Sequence, residues 1–254
     1  MSDNSAFSLA GKRMLVTGAN TGIGQGIAVS IARAGGAVIG VGRSSMDDTA
    51  SRVAAMGGQF EAVSANLADT SAAGPLLERI WEESGPLDGL VNNAGIIRRA
   101  DAVDLSETDW DDVMDVNLKT VFLLCQSFAR RVLAGGHQGK IVNIASVLSF
   151  QGGIRVASYT ASKHGVLGIT RLLACEWAAK GINVNAIAPG YIETNNTQAL
   201  RADPDRSAAI LARIPAGRWG DAGDIGDAAV FLLAPASNYM HGAVVPVDGG
   251  WLAR

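Results

Sequence analysis

Tyr159 and Lys163 stand four residues apart inside a helical pattern spanning 156–177, so they share one face. A phenol with an ordinary pKa of ~10 is a poor base near neutrality, and a neighbouring ammonium that stabilises the phenolate makes it usable. By itself such a pair is an ordinary helix surface. Ser146 changes that reading. It lies thirteen residues before Tyr159, at the end of an apolar run, where its hydroxyl could donate to an oxygen that gains negative charge. The three together suit moving a proton on or off a hydroxyl. Competing catalysts are missing from the sequence. His137, His164 and His241 are scattered without metal-ligand spacing, no HExxH, CxxC or GxSxG occurs, and no metal is expected.

A second chemical feature is the turn Gly18-Ala19-Asn20-Thr21-Gly22-Ile23-Gly24, between an apolar run and a helical one. Glycines there let backbone N–H groups approach a pyrophosphate, and the helix that follows presents its positive end to the anion. The spacing is G-x-x-x-G-x-G rather than G-x-G-x-x-G, and a tight strand-to-helix connection is the plainer alternative. Its place at the start of the chain favours a dinucleotide. Sites specific for NAD carry an acidic residue near the end of the second strand. Here that position is Gly42, followed by Arg43, Ser44 and Ser45, a cation and two hydroxyls suited to the 2′-phosphate of NADP(H). The competing reading of Arg43 is a solvated loop charge.

These residues need a frame. Short runs rich in Val, Ile and Leu fall at 12–17, 37–42, 60–64, 89–92, 140–146, 183–188 and 243–247, separated by helix-length intervals. Such runs suit parallel strands covered on both faces, and the alternation implies right-handed crossovers. The expected class is α/β, a doubly wound parallel sheet in one domain spanning 1–254. Glycine makes up 31 of 254 residues against a usual ~7%, while Pro is only 7, which excludes a collagen-like chain. A net charge of −3 without long charged runs argues against nucleic-acid or membrane partners. No leader and no spanning segment is evident, so the expectation is a soluble, cytoplasmic protein with Cys125 and Cys175 as buried free thiols.

The elements occur in a familiar order: Thr17-Gly18-x-x-x-Gly22-x-Gly24, Asn92-Asn93-Ala94-Gly95, Asn117, Ser146, Tyr159-x-x-x-Lys163, Pro189-Gly190 and Asp248-Gly249-Gly250. In order and spacing, along essentially the whole chain, this resembles the short-chain dehydrogenase/reductase family. The resemblance implies a Rossmann-type sheet of about seven strands and NAD(P)-dependent oxidoreduction at a CH–OH group. It implies Tyr159 as acid/base, Lys163 as its pKa tuner and ribose ligand, Ser146 as oxyanion donor and Asn117 as holder of a proton-relay water. It further implies cofactor contacts at Gly18, Asn20, Thr21, Gly22, Ile23, Gly24, Gly42, Arg43, Asn93, Ala94, Gly95, Tyr159, Lys163, Pro189, Gly190, Ile192 and Thr194. Asn66 and Leu67 match the pair that frames adenine, with an amide in place of the acid. Thr21 stands where NADP-preferring relatives have Arg or Lys.

Ligands of open α/β sheets bind outside the carboxyl ends of the strands. Loops there carry Arg98, Arg99, Gln151, Arg155 and Asn196. Arg99, Gln151, Arg155 and Asn196 are the candidate substrate residues, because guanidinium pairs with carboxylate and amides suit a polyhydroxylated chain. Each arginine could equally be solvated or sit in a subunit salt bridge. The segments IIRR, SFQGGIR, NNTQALRAD, IPAGRWG and DGGWLAR resemble family members that interconvert keto and hydroxy sugar acids in uronate catabolism, commonly with NAD(H). The local residues thus favour NADP(H) and the closer resemblance NAD(H). Gluconate oxidation at C5 and 3-oxoacyl thioester reduction remain open on the same scaffold, as does a non-catalytic dinucleotide-binding regulator. The resemblance also implies a homotetramer. A helix over 201–214, the Tyr159 helix and the terminal Trp251 and Leu252 are candidate interface elements; the alternative for Trp251 and Leu252 is packing on their own domain.

Overall fold

Side chains of neighbouring strand residues in β1 (Arg13–Thr17) leave on opposite faces of a sheet. Leu15 joins a core with Leu77, Ile80, Leu124, Phe128 and Trp177, whereas Met14 and Val16 join another with Ile27, Ile31, Ile225 and Leu232. Covering on both faces is what makes the central strand segments such as this one apolar along their length. The computed structural model describes residues 5–254; residues 1–4, part of the segment read as lacking a leader, lie outside it.

Six more strands complete the sheet: β2 (Ala37–Gly42), β3 (Phe60–Ser64), β4 (Gly89–Asn92), β5 (Gly139–Ile144), β6 (Ile182–Pro189) and β7 (Val244–Val247). Their order is β3-β2-β1-β4-β5-β6-β7, every pairing parallel. The first face is covered by α3 (Ala73–Ser84), α5 (Thr120–Gly135) and α6 (Ala157–Trp177), the second by α1 (Gly22–Arg33) and α9 (Ala222–Leu233). The remaining helices are α2 (Asp47–Ala55), α4 (Glu107–Met114), α7 (Gln198–Ala202) and α8 (Pro204–Arg213). The chain winds outward from β1 to one edge, then crosses back to β4, so the strand order reverses at the β1–β4 seam. That seam pairs Met14 with Gly89, Leu15 with Leu90 and Val16 with Val91. A crevice opens where crossovers diverge like this.

Two expectations need correction, the helix over 201–214 and the burial of Cys175. The single helix over 201–214 is two, α7 and α8, because Pro204 has no N–H and drives Asp203 to φ −92°, ψ 109°. Asp203 then caps α8, accepting from the Arg206 backbone N–H at 3.1 Å. Asn117 lies in a π-helical turn, Asp115–Lys119, joining α4 to α5. Cys125 and Cys175 are both free, but only Cys125 is buried; Cys175 faces outward from α6. No helix among the described residues is long and apolar enough to cross a membrane.

Candidate active site

The carboxyl ends of the strands open onto a cleft of about 780 Å³. Of the expected cofactor residues, Gly18, Asn20, Thr21, Gly22, Ile23, Gly42, Arg43, Asn66, Leu67, Asn93, Ala94, Gly95, Tyr159, Lys163 and Thr194 line it. Gly18 has φ +67°, a conformation that favours glycine. Thr21 is extended and its side chain makes no capping bond, so the first N–H groups of α1 lack that partner and face the cleft's turn. An anion at this end would satisfy them, and the turn therefore fits a pyrophosphate.

Four expected contacts lie outside that lining. A Cβ at Gly24 would lie 2.1 Å from Gly18 O, so this glycine lets α1 close on the turn instead of clearing the cleft. A Cβ at Gly190 would meet Asp248 Cα at 2.6 Å, and Pro189 pairs with Val247 in the sheet. Ile192 is buried in the core that includes Ile225. These three shape the β6 exit from beneath.

At the far rim, Asn20 Nδ2 donates to Ser44 Oγ at 2.8 Å, and a Cβ at Gly42 would approach Asn20 Oδ1 to 3.2 Å. A side chain at position 42 would crowd Asn20. Arg43 makes no ion pair among the described residues, although twelve ion pairs occur elsewhere. The rim therefore offers an unspent cation and a hydroxyl, and no carboxylate at the end of β2.

Thr17 and Asn93 stitch the seam above its last paired residues. Thr17 Oγ1 accepts from the N–H groups of Asn93 and Ala94, both at 3.0 Å. Asn93 Nδ2 donates to Thr17 O at 2.9 Å and Gly18 O at 3.2 Å. The Asn-Asn-Ala-Gly element is thus a brace for the glycine turn.

Helix α6 carries Tyr159 and Lys163 towards the cleft, while the turn after β5 carries Ser146 beside them. Lys163 is 5% exposed, its Nζ donates to Ile144 O at 2.6 Å and lies 5.6 Å from the Tyr159 ring centre. Burial pushes its pKa down to about 8. Burial raises the Tyr159 pKa, and the Ser146 hydroxyl and the Arg99 charge pull it the other way. Desolvation of the phenol is the largest of these effects. Ser146 caps a short turn, Val147–Ser149, its Oγ accepting from the Leu148 N–H at 3.1 Å. Asn117 is fully buried and holds a loop: Oδ1 accepts from the Ile96 N–H at 2.8 Å, and Nδ2 donates to Ile96 O at 2.9 Å and Ser162 Oγ at 3.3 Å. Its side-chain amide is committed to Ile96 and Ser162.

The substrate candidates separate. Arg155, the sole non-glycine with positive φ among the described residues (+64°), pairs with Asp101 at 3.3 Å. Arg98 lines the cleft but is held by Asp109 at 3.1 Å and Asp112 at 3.0 Å. Arg99 has no carboxylate partner among the described residues; it donates to Asn196 O at 3.3 Å, and Asn196 lines the cleft. Gln151 Oε1 accepts from Arg213 at 3.3 Å, and Arg213 lies 4.0 Å over the Trp251 ring. Trp251 is 4% exposed and packs with Val147 and Ile214, which settles its own-chain packing. Sequence reasoning missed Ala65, Ala68, Asp112, Val116 and Ile144 as lining residues. All but Asp112 are small or apolar types, which carry no chemical signal. Arg213 was also missed, because its partners lie far away in the chain.

The geometry agrees with comparisons to known proteins. A family model described as enoyl-(acyl carrier protein) reductase matches residues 18–252. The 2-dehydro-3-deoxy-D-gluconate 5-dehydrogenase of Dickeya dadantii is 57% identical, covering 98% of each chain. A solved structure from Agrobacterium tumefaciens, provisionally named a 2-deoxy-D-gluconate 3-dehydrogenase and holding NADP, is 61% identical with a TM-score of 0.93, over 99% of this chain and 100% of that one. Another, from Beutenbergia cavernae, provisionally named an NAD(P)-dependent gluconate 5-dehydrogenase and holding NADP at low occupancy, is 52% identical with a TM-score of 0.94, over 98% and 100%. With a dinucleotide turn at one end of the cleft and Ser146, Tyr159 and Lys163 at the other, the chain belongs to the short-chain dehydrogenase/reductase family.

Proposed function

We propose that this chain interconverts a keto and a hydroxy sugar acid, 3-deoxy-D-glycero-2,5-hexodiulosonate and 2-dehydro-3-deoxy-D-gluconate, using NADP(H) in preference to NAD(H). The observation that carries the chemistry is Tyr159 set between Ser146 and Lys163 beside a dinucleotide-shaped cleft. The substrate follows the name of the Dickeya relative.

Bound dinucleotide supplies or accepts the hydride. Its pyrophosphate belongs at Gly18–Gly22 and the start of α1, its adenine between Asn66 and Leu67, and its 2′-phosphate at Arg43 and Ser44. In reduction, Ser146 Oγ donates to the carbonyl oxygen as it becomes an alkoxide, and Tyr159 Oη delivers the proton. In oxidation, Tyr159 takes that proton back. Lys163 supplies positive charge next to the phenol and a donor for the ribose. Arg99, without an ion-pair partner among the described residues and felt electrostatically at Tyr159, anchors the substrate carboxylate in preference to Arg155, which Asp101 neutralises. Asn117 fixes the loop that carries Ile96 and, with it, the approach to Arg99. We take residues 1–254 as one domain acting as a cytoplasmic homotetramer. Half-exposed Leu172 on the outer side of α6 is in keeping with association.

Steady-state reduction of diketo and keto hexonates, with NADPH and NADH side by side, tests this reading. The diketo hexonate should be turned over with the higher kcat/KM for NADPH, and Arg43→Ala should erase the preference. Tyr159→Phe should reduce turnover by about 10²–10⁴-fold while dinucleotide binding persists. Gluconate oxidation alone would shift the substrate to that of the Beutenbergia relative's name. Activity confined to an acetoacetyl thioester would overturn the sugar-acid reading.

A further inference from the structure

Ser149 joins the two halves of the catalytic group, and the mechanism above gives it no role. It is 2% exposed and sits three residues beyond Ser146. Its Oγ donates to the backbone carbonyl of Lys163 at 2.7 Å and accepts from the backbone N–H of Ser146 at 3.3 Å. A hydroxyl has one proton to give and two lone pairs to receive with. Here the proton goes to helix α6, and a lone pair holds the strand-end serine.

The bond matters because other parts of the fold position those halves separately. Strand β5 sets Ser146, whereas α6 sets Tyr159 and Lys163. A second link lies deeper. Asn143 Nδ2, in β5, donates to Thr170 Oγ1 at 3.0 Å, seven residues beyond Lys163 on α6, and both side chains are fully buried. Two turns of helix separate Thr170 from Lys163, so these links, together with the Lys163 Nζ bond to Ile144 O, hold α6 against β5 at two heights. The lower one fixes the helix to the strand; the upper one, through Ser149, fixes the reacting groups to each other. Misplacement of reacting groups by 1 Å costs about 10²-fold in rate.

We propose that Ser149 is a positioning residue whose hydroxyl sets the separation of Ser146 from Tyr159 and Lys163, and thereby the rate of proton transfer. The proposal rests on the reading of those three residues as the catalytic group. Removing the hydroxyl leaves the Ser146 N–H without its partner in a buried turn, and the turn is then free to move away from α6.

The test compares Ser149→Ala, Ser149→Thr and Ser149→Cys with the parent in the same hexonate assay, with NADPH affinity measured by fluorescence titration. Ser149→Ala should lower kcat about tenfold or more, with substrate KM and NADPH Kd unchanged within about twofold. Ser149→Thr, which keeps the hydroxyl, should restore most of kcat, and Ser149→Cys, a weaker donor of similar size, should fall between. A kcat within twofold of the parent for Ser149→Ala overturns the proposal. So does a loss shared equally by KM, Kd and thermal stability with no recovery in Ser149→Thr, the pattern of a generally loosened fold. Should Ser149→Ala not fold, the order of Thr and Cys decides. Full turnover in Tyr159→Phe would remove the underlying catalytic reading and the proposal with it. An inactive Tyr159→Phe beside an unimpaired Ser149→Ala removes the proposal alone.

Discussion

Burial holds the Lys163 pKa at about 8 against an ordinary 10.5, and this cost falls on the folded state alone. At pH 7 the lysine is protonated both folded and unfolded, so the folded protein carries the full penalty. As pH rises from 8 towards 10.5 the folded state gives up its proton first, and stability contributed at this site rises. Lys163→Met should therefore abolish turnover and yet raise the thermal midpoint at pH 7. The gain is about 1–2 kcal/mol after allowing for the lost bond to Ile144 O. Melting curves of both proteins at pH 7 and pH 9.5 check the sign: the advantage of the variant must shrink at the higher pH. Lys140, half-buried and also lowered to about 8, is common to both proteins and drops out of the difference. At this scale the catalytic residues were legible because a helix converts a spacing of four into adjacency. The tasks of Asn117 and Arg155 were not legible. Their partners, Ile96 and Asp101, lie 21 and 54 residues away, and only the fold brings them close.

Among elements, the first turn and α1 depend on a backbone approach no other residue allows. A methyl at Gly24 would stand 2.1 Å from Gly18 O and 2.4 Å from Asn93 Nδ2, so Gly24→Ala must push the turn away from the seam. NADPH affinity should fall at least about tenfold, with a lower thermal midpoint, while kcat at saturating NADPH suffers far less. Isothermal titration against the parent checks this; unchanged affinity would mean that the turn tolerates displacement. The strand runs read from the sequence agree with the observed strands to within two residues at each end, because burial on both faces concentrates apolar residues in the central strands. The 201–214 segment departed because one proline outweighs an otherwise helical pattern. Its neighbour Asp203 supplied the cap that a sequence scan for helix starts could have found.

Across the whole molecule, the β1–β4 seam is where dinucleotide and catalytic halves meet, and a bound dinucleotide touches both. Anything that binds the folded chain alone stabilises it by mass action. NADPH at a hundred times its Kd should add about 2.7 kcal/mol, roughly 5–10 °C in thermal midpoint for a chain of this size. NADH at the same concentration should give a smaller shift, and equal shifts would contradict the assignment of Arg43 and Ser44 to a 2′-phosphate. Parallel order and the position of the crevice were legible from the alternation of strands and helices.

The seam also governs when the site comes into being. Asn93 completes the turn by bonding Thr17 and Gly18, residues made about 75 positions earlier. During synthesis the glycine turn stays unfinished until β4 has emerged from the ribosome, and Thr194 joins the cleft only a hundred residues later. A nascent chain therefore passes most of its translation without a cofactor to hold, exposed to chaperones and proteases, and gains its ligand's protection only near the end.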